Sequence, residues 1–171
     1  HSAPATYWFC VRNIVANKSE SLPAAVRASV TNTARRNVLA ALNVLDSDDD
    51  ADFDRLVRLA ASIFDAPIAV IALIDAERQW FKSRHGLDLR ETPVEVSFSA
   101  HAIADKRHPC MIVADATADN RFADNPLVTG DPGIRFYAGA PIIVHGQRLG
   151  ALAVAAPAPR HSVDQAQMDQ L

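Results

Sequence analysis

Residues 68–74 read Ile-Ala-Val-Ile-Ala-Leu-Ile, with no polar side chain and with β-branched residues at Ile68, Val70, Ile71 and Ile74. A strand that is apolar at every position, not at every second one, is buried on both faces and sits centrally in a sheet. The rest of the chain has to supply its neighbours and its cover.

Upstream, Phe53, Leu56, Val57, Ala60, Ile63 and Phe64 recur at spacings of three and four, the apolar face of a helix, and Pro67 follows its end. Leu22, Val26 and Val30 repeat every fourth residue, and Pro23 suits a helix start. A further helical pattern carries Val38, Leu39, Leu42 and Leu45. It ends at Asp46-Ser-Asp-Asp-Asp50. Aspartates there accept from first-turn N–H groups and favour a helix N-terminus, so the run reads as a cap and linker rather than a metal site.

Downstream, Asp75-Ala-Glu-Arg78 is a polar turn, and residues 79–85 resume as a more polar strand ended by Gly86, a hairpin signal. Residues 93–96 form a short extended piece. Ser97 caps a helix over about 98–106, and residues 109–114 read as another buried strand. A loop covers about 116–133. Residues 134–144 and 148–156 form a second hairpin across His145-Gly146-Gln147, where Gly146 supplies turn freedom. Residues 164–171 begin a helix that the chain cuts off. This order is α+β, with a central, mainly antiparallel sheet of about five to six strands flanked by helices.

Two units are expected. Residues 1–34 form an N-terminal extension with a helix, and residues 35–171 form the domain. The chain starts at His1 rather than Met, so its first residues are read as tag-derived and set aside. Tyr7, Trp8, Phe9 and Val11 make an apolar cluster that wants cover from the domain or a partner chain.

A net charge of −3 over 171 residues argues against a general nucleic-acid grip, which needs a basic face. The pair Arg35-Arg36 reads as a solvated helix face. Cys10 and Cys110 are too few for a disulfide framework, and with no secretory signal the expected compartment is the cytoplasm. The longest apolar run, Ala66 to Ile74, holds Pro67 and falls short of the roughly 20 residues of a membrane helix. No metal or cofactor is expected, since His108-Pro-Cys110 lacks a second ligand pair.

Several ordered motifs run through residues 35–171: Leu42-x-x-Leu45-Asp46, Phe53-Asp-Arg-Leu56, Ala72-Leu-Ile-Asp75, Gln79-Trp-Phe-Lys82 and Phe98-x-Ala-His101-Ala-Ile103. Asp115-Ala116 follows, then Arg121-Phe-x-Asp-Asn-Pro-x-Val-x-Gly130, Ile134-Arg-Phe-Tyr-Ala-Gly139 and Leu149-Gly-x-Leu152. With these the chain resembles a GAF domain, a small-molecule-sensing module of the PAS-like fold group. It is similar to the bacterial subgroup found beside diguanylate cyclase or histidine kinase output domains. The resemblance implies a regulatory sensor rather than an enzyme, acting on such an output partner. The chain departs from the subgroup at Ser99, where Cys is frequent, which puts a thiol or metal role there in doubt.

In this fold a pocket is expected between the sheet and the helix and loops over one face, mostly apolar with a few convergent polar groups. The candidates are Phe98 and His101 on the helix, Asp115 at a strand end, Arg121, Phe122 and Asn125 in the loop, and Arg135 and Tyr137 on the following strand. Arg121 or Arg135 could fork onto a carboxylate or phosphate. Phe122 and Tyr137 could stack a ring, and His101 could donate to a carbonyl or respond to pH. The same groups could equally build the loop, with Asp115 and Asp119 pairing Arg121.

No catalytic residue is assigned. GAF-fold reduction of free methionine sulfoxide would need an exposed, activated thiolate, and Cys110 falls in a buried-strand pattern. Ser99 and His101 are two apart on a helix and point to different sides. The alternative to a sensor is a ligand-free dimerisation or relay module. Its helices would form a bundle across a homodimer, and the stripe Leu22, Val26 and Val30 would meet either a second copy or its own domain.

Overall fold

The computed structural model describes residues 22–163, 166 and 169–171. The expected helix over 164–171 lies largely outside the described residues, and the cluster Tyr7 to Val11 and Cys10 lie wholly outside them.

Six strands form one sheet: β1 (Ile68–Ile74), β2 (Arg78–His85), β3 (Glu91–Pro93), β4 (Met111–Val113), β5 (Phe136–Val144) and β6 (Gln147–Ala156). The order is β3-β2-β1-β6-β5-β4, and each of these pairings is antiparallel. β1 lies between β2 and β6 with all seven residues buried, as its uniformly apolar sequence requires. The β5–β6 turn has His145 at φ 49° and Gly146 at φ 74°. Two consecutive left-handed residues give the turn whose twist matches its strands.

Helices α1 (Ala24–Val30), α2 (Thr33–Ala41), α3 (Ala51–Ile63) and α4 (Phe98–Ala104) supply the cover. On one face, Ala69 and Ile71 pack with Val57, Ala60 and Phe64 at α3. Leu73 on that face meets Leu39 of α2. On the other face, Ile68, Val70 and Ala72 lie under α4 and the segment 111–134. Ile74 there meets Val26 and Val30 of α1 and Ile103 of α4. The stripe Leu22, Val26 and Val30 is therefore spent on its own domain and is buried.

The acidic linker is held by β2. Arg78 forks onto Asp46 at 2.9 and 2.6 Å, and Lys82 Nζ donates to Ser47 Oγ at 2.9 Å and to the Asp48 carbonyl at 2.6 Å. Asp50 caps α3 by accepting from the Asp52 amide at 2.9 Å. At the other end of α3, Arg160 donates to the Phe64 and Asp65 carbonyls and lies over the Phe136 ring, a cation where the helix end is negative.

Several sequence expectations are corrected. Arg35 is not solvated; it is 3% exposed, and only Arg36 faces water. Leu56 is half exposed, because the sheet covers only the centre of the α3 stripe around Val57 and Ala60. Residues 109–114 shorten to the three-residue edge strand β4, whose Ile112 is exposed. The extended piece shifts to β3, with a 3-10 turn over Val94–Val96. α4 ends at Ala104. The loop holds a further short helix, α5 (Pro126–Thr129), and a 3-10 turn over Ala116–Ala118.

Candidate functional site

On the α4 face of the sheet a cavity of about 50 Å³ lies between strands β1, β2, β5 and β6 and the segment from α4 to β5. Ser97 begins α4 by accepting from the Ala100 amide at 3.0 Å. This sets the first turn so that Phe98 and Ser99 enter the core. Phe98 stacks on Phe122 with ring centroids 4.1 Å apart and an interplanar angle of 9°. It also lies 5.2 Å from the Tyr137 ring at 30°. His101, one turn on, meets the Phe122 ring edge-on at 4.8 Å. Four of the eight candidate residues thus form one aromatic cluster, with the Arg121 guanidinium 5.0 Å from the Phe122 centroid.

The other four hold the loop. Arg121 forks onto Asp119 at 2.9 and 2.6 Å rather than presenting a free guanidinium. Asp115 accepts from the Thr117 amide and hydroxyl at 3.0 and 2.6 Å, and these bonds hold its carboxyl below the usual range. Asn125 caps α5 through the Leu127 amide at 2.9 Å and donates to the Val96 carbonyl at 3.0 Å, tying the loop to the start of α4. Arg135 donates to the carbonyls of Val128, Gly133 and Ile134 at 2.8, 3.2 and 3.2 Å.

Polar groups that the sequence reasoning did not assign complete the cavity. Ser99 Oγ and the Tyr137 hydroxyl are 2.9 Å apart, deep in the core. Gln79 Nε2 donates to Thr92 Oγ1 at 3.1 Å, and Ser97 Oγ donates to Gln79 Oε1 at 2.8 Å. Gln79 was visible in the Gln79-Trp-Phe-Lys82 motif, and Ser99 only as a departure from a frequent Cys. Among the described residues no buried side-chain nitrogen or oxygen lacks a partner. The polar groups of the cavity are therefore satisfied as they stand. Its volume suits a few waters or a small organic group, since one water needs about 10–15 Å³.

Burial, and then the nearby Arg121 charge, pull His101 down to about 4, against a smaller opposing effect of Asp119. His101 is thus a neutral imidazole at neutral pH. Burial pushes the Tyr137 phenol up, only partly offset by the Ser99 hydrogen bond, so it stays a neutral donor and acceptor. Cys110 is half-buried rather than buried, and burial pushes its thiol up as well. Among the described residues no group of three His, Cys, Asp or Glu side chains could hold a metal ion.

The family model for the GAF domain matches residues 48–171. This chain belongs to the GAF domain family. GAF domains are signalling sensors that relay to output domains, and the six-stranded antiparallel sheet flanked by helices is the PAS-like architecture expected of one. This GAF chain is 45% identical over 128 residues to the cyclic di-GMP phosphodiesterase PA2567 of Pseudomonas aeruginosa. The match covers 74% of the chain and 22% of that protein, so the chain spans about a fifth of the relative's length. Among solved structures it is similar to the GAF domain of an Acinetobacter phosphoenolpyruvate-protein phosphotransferase. The TM-score is 0.57 at 18% identity, over 85% of this chain and 82% of that one. It is also similar to free methionine-R-sulfoxide reductase from Neisseria meningitidis in complex with its substrate. There the TM-score is 0.56 at 15% identity, over 88% and 85% of the two chains. Both structural likenesses concern the fold alone. Among the described residues no helix is long and apolar enough to cross a membrane.

Proposed function

We propose that this GAF domain is a non-catalytic cytoplasmic sensor of a small, largely apolar molecule carrying one or two hydrogen-bonding groups. The observation that carries this reading is the cavity beneath the Phe98–Phe122–Tyr137 cluster. Its walls are apolar side chains such as Leu127 and Ile134, and its polar groups are few: Gln79, Thr92, Ser99 and the Tyr137 hydroxyl. That composition is the one expected of ligand pockets. At about 50 Å³ the cavity is small, so a larger ligand would need its walls to move, and the 116–133 loop supplies Leu127 and Pro132 to them. Displacement of that loop also pulls on α4 through Asn125 and the Val96 carbonyl, and α4 packs on α1. The loop, α4 and the terminal helices form the route to an output domain. The 45% identity to part of a cyclic di-GMP phosphodiesterase supports an output that makes or degrades cyclic dinucleotides.

A ligand-free homodimerisation module is the second reading. It is favoured by Leu56 and Leu59 of α3, 50% and 56% exposed, and no longer by the buried α1 stripe. The reductase reading has no activated thiol among the described residues, where the only cysteine is raised by burial.

Native mass spectrometry followed by a thermal-shift screen of nucleotides, amino acids and organic acids tests the proposal. A ligand that binds only the native state adds about 2.7 kcal/mol at a hundredfold excess over Kd. The expected result is a stabilising compound whose effect is reduced in Tyr137→Phe and Ser99→Ala, variants that keep the core volume. A clean dimer that no compound stabilises would transfer the assignment to the dimerisation module.

A further inference from the structure

A second and larger cavity, of about 430 Å³, lies beyond the C-terminal end of α4. Its walls include Ser29 and Asn32 at the α1–α2 corner, Arg35 of α2, Lys106 after α4, and Gln147 and Arg148 at the start of β6. Three of its lining residues are cationic, and no carboxylate lines it. The nearby acids are engaged or outside. Asp75 acts on Arg35 from beyond the lining. The Asp105 carboxylate is taken by His108 at 2.8 Å and by Arg107 at 3.6 Å.

The cations differ in what they have left to give. The Arg35 guanidinium is committed to backbone carbonyls and contributes charge alone. Arg148 uses Nη1 on the Asp105 and Ala102 carbonyls at 2.5 and 3.4 Å, which leaves its Nε and Nη2 donors. Lys106 is exposed, and among the described residues its ammonium has no ion pair or hydrogen bond. The amides of Asn32 and Gln147 add uncharged donors to the same walls.

We propose that this cavity binds a phosphate-bearing small molecule of up to mononucleotide size. A dianion with three acceptor oxygens matches a lysine, half an arginine fork and two amides better than a single carboxylate does. The volume lies within the range of small-molecule sites. The site is separate from the aromatic cavity, and its ligand would act differently. The walls at 28–35 precede the family-matched region 48–171, so the bound anion would bridge the N-terminal helices to α4 and β6 and clamp them in place.

The test uses the 171-residue chain with two probes, inorganic phosphate and adenosine 5′-monophosphate, at ionic strength matched with potassium chloride. Calorimetric titration and melting temperature are read for the parent, Lys106→Glu and Arg27→Glu. Arg27 is exposed, beside the cavity and outside its lining, so it reports diffuse surface charge. The expected result is binding of at least one probe, weakened about tenfold or more by Lys106→Glu and little changed by Arg27→Glu. Absence of binding by both probes at millimolar concentration overturns the proposal. So does an equal loss in the two variants, which would mark the effect as long-range charge.

Discussion

His101 shows how one side chain can carry a pH dependence. Its ring is packed edge-on against Phe122 with Arg121 nearby, and its folded-state value of about 4 lies below the ordinary 6.5. The unfolded chain therefore takes up a proton, between those values, that the folded chain refuses. Stability is complete above about pH 6.5 and is lost as pH falls toward 4. The full shift corresponds to roughly 3 kcal/mol, and partial exposure reduces it to about 2 kcal/mol. The carboxylates held low, at Asp46, Asp105, Asp115 and Asp119, add their own loss from about pH 5 downward, so comparison with His101→Gln isolates the histidine. Melting temperature measured between pH 6.5 and 4 should fall less steeply in His101→Gln than in the parent. An unchanged slope would mean that the ring already titrates near its ordinary value. At this scale the sequence shows which residue types gather, and it does not show their partners. The Arg121 side chain reads equally as a ligand fork or as Asp119's partner, and only the fold decides between them.

Strand β5 illustrates what a motif can encode. Tyr137 and Gly139 lie on the same face, two residues apart, and a Cβ placed on Gly139 would collide with the Tyr137 phenol. Gly139 is thus the space into which the ring lies while its hydroxyl meets Ser99. Gly139→Ala should force the ring aside, break that bond and cost about 1–3 kcal/mol by chemical denaturation. Pairing it with Tyr137→Leu should recover part of the loss. Strictly additive losses would show that the two residues do not compete for this space. β1, α3 and the β5–β6 hairpin were readable because their apolar spacing is long and their turns distinctive. Edge strands β3 and β4, at three residues each, are too short to show a period. α5 was missed because Asn125-Pro126 serves a turn and a helix start alike, and here Asn125 caps a helix whose first residue is Pro126. Leu56 was misplaced because spacing defines a stripe, whereas the sheet decides how much of that stripe it covers.

Across the whole molecule, the sheet is enclosed by α2 and α3 on one face and by α1, α4 and the loop on the other. The uniformly apolar β1 predicts cover on both faces, and it does not say which helices supply it. It did not foretell that an arginine would join the layers. Arg35 donates to the Ser29 and Val30 carbonyls at the end of α1, at 3.0 and 2.7 Å, and to the Ile74 carbonyl of β1 at 2.6 Å. It also reaches the Leu149 carbonyl of β6 at 3.5 Å. Burial lowers it to about 10, so it remains charged at neutral pH. A charge this deep is tolerated because carbonyl dipoles surround it. No period in the sequence distinguishes it from Arg36. Arg35→Ala would strand these carbonyls and should cost about 3 kcal/mol or more. Arg35→Lys should rescue little, because an ammonium cannot reproduce the planar fork. In hydrogen exchange, α1 amides should lose protection in Arg35→Ala well before those of β1. Uniform loss across both would show that the guanidinium does not hold α1 specifically.

In the proposed sensor, the Arg35 fork would also limit the kind of message these helices can pass. A single rigid plane grips three elements at once, so tilting α1 by a small angle stretches its bonds together. Intermediate positions leave buried carbonyls unpaired and so cost more than the latched one. A sensor wired in this way would report presence or absence of its stimulus, as a relay contact does, and would leave any proportional response to the machinery downstream.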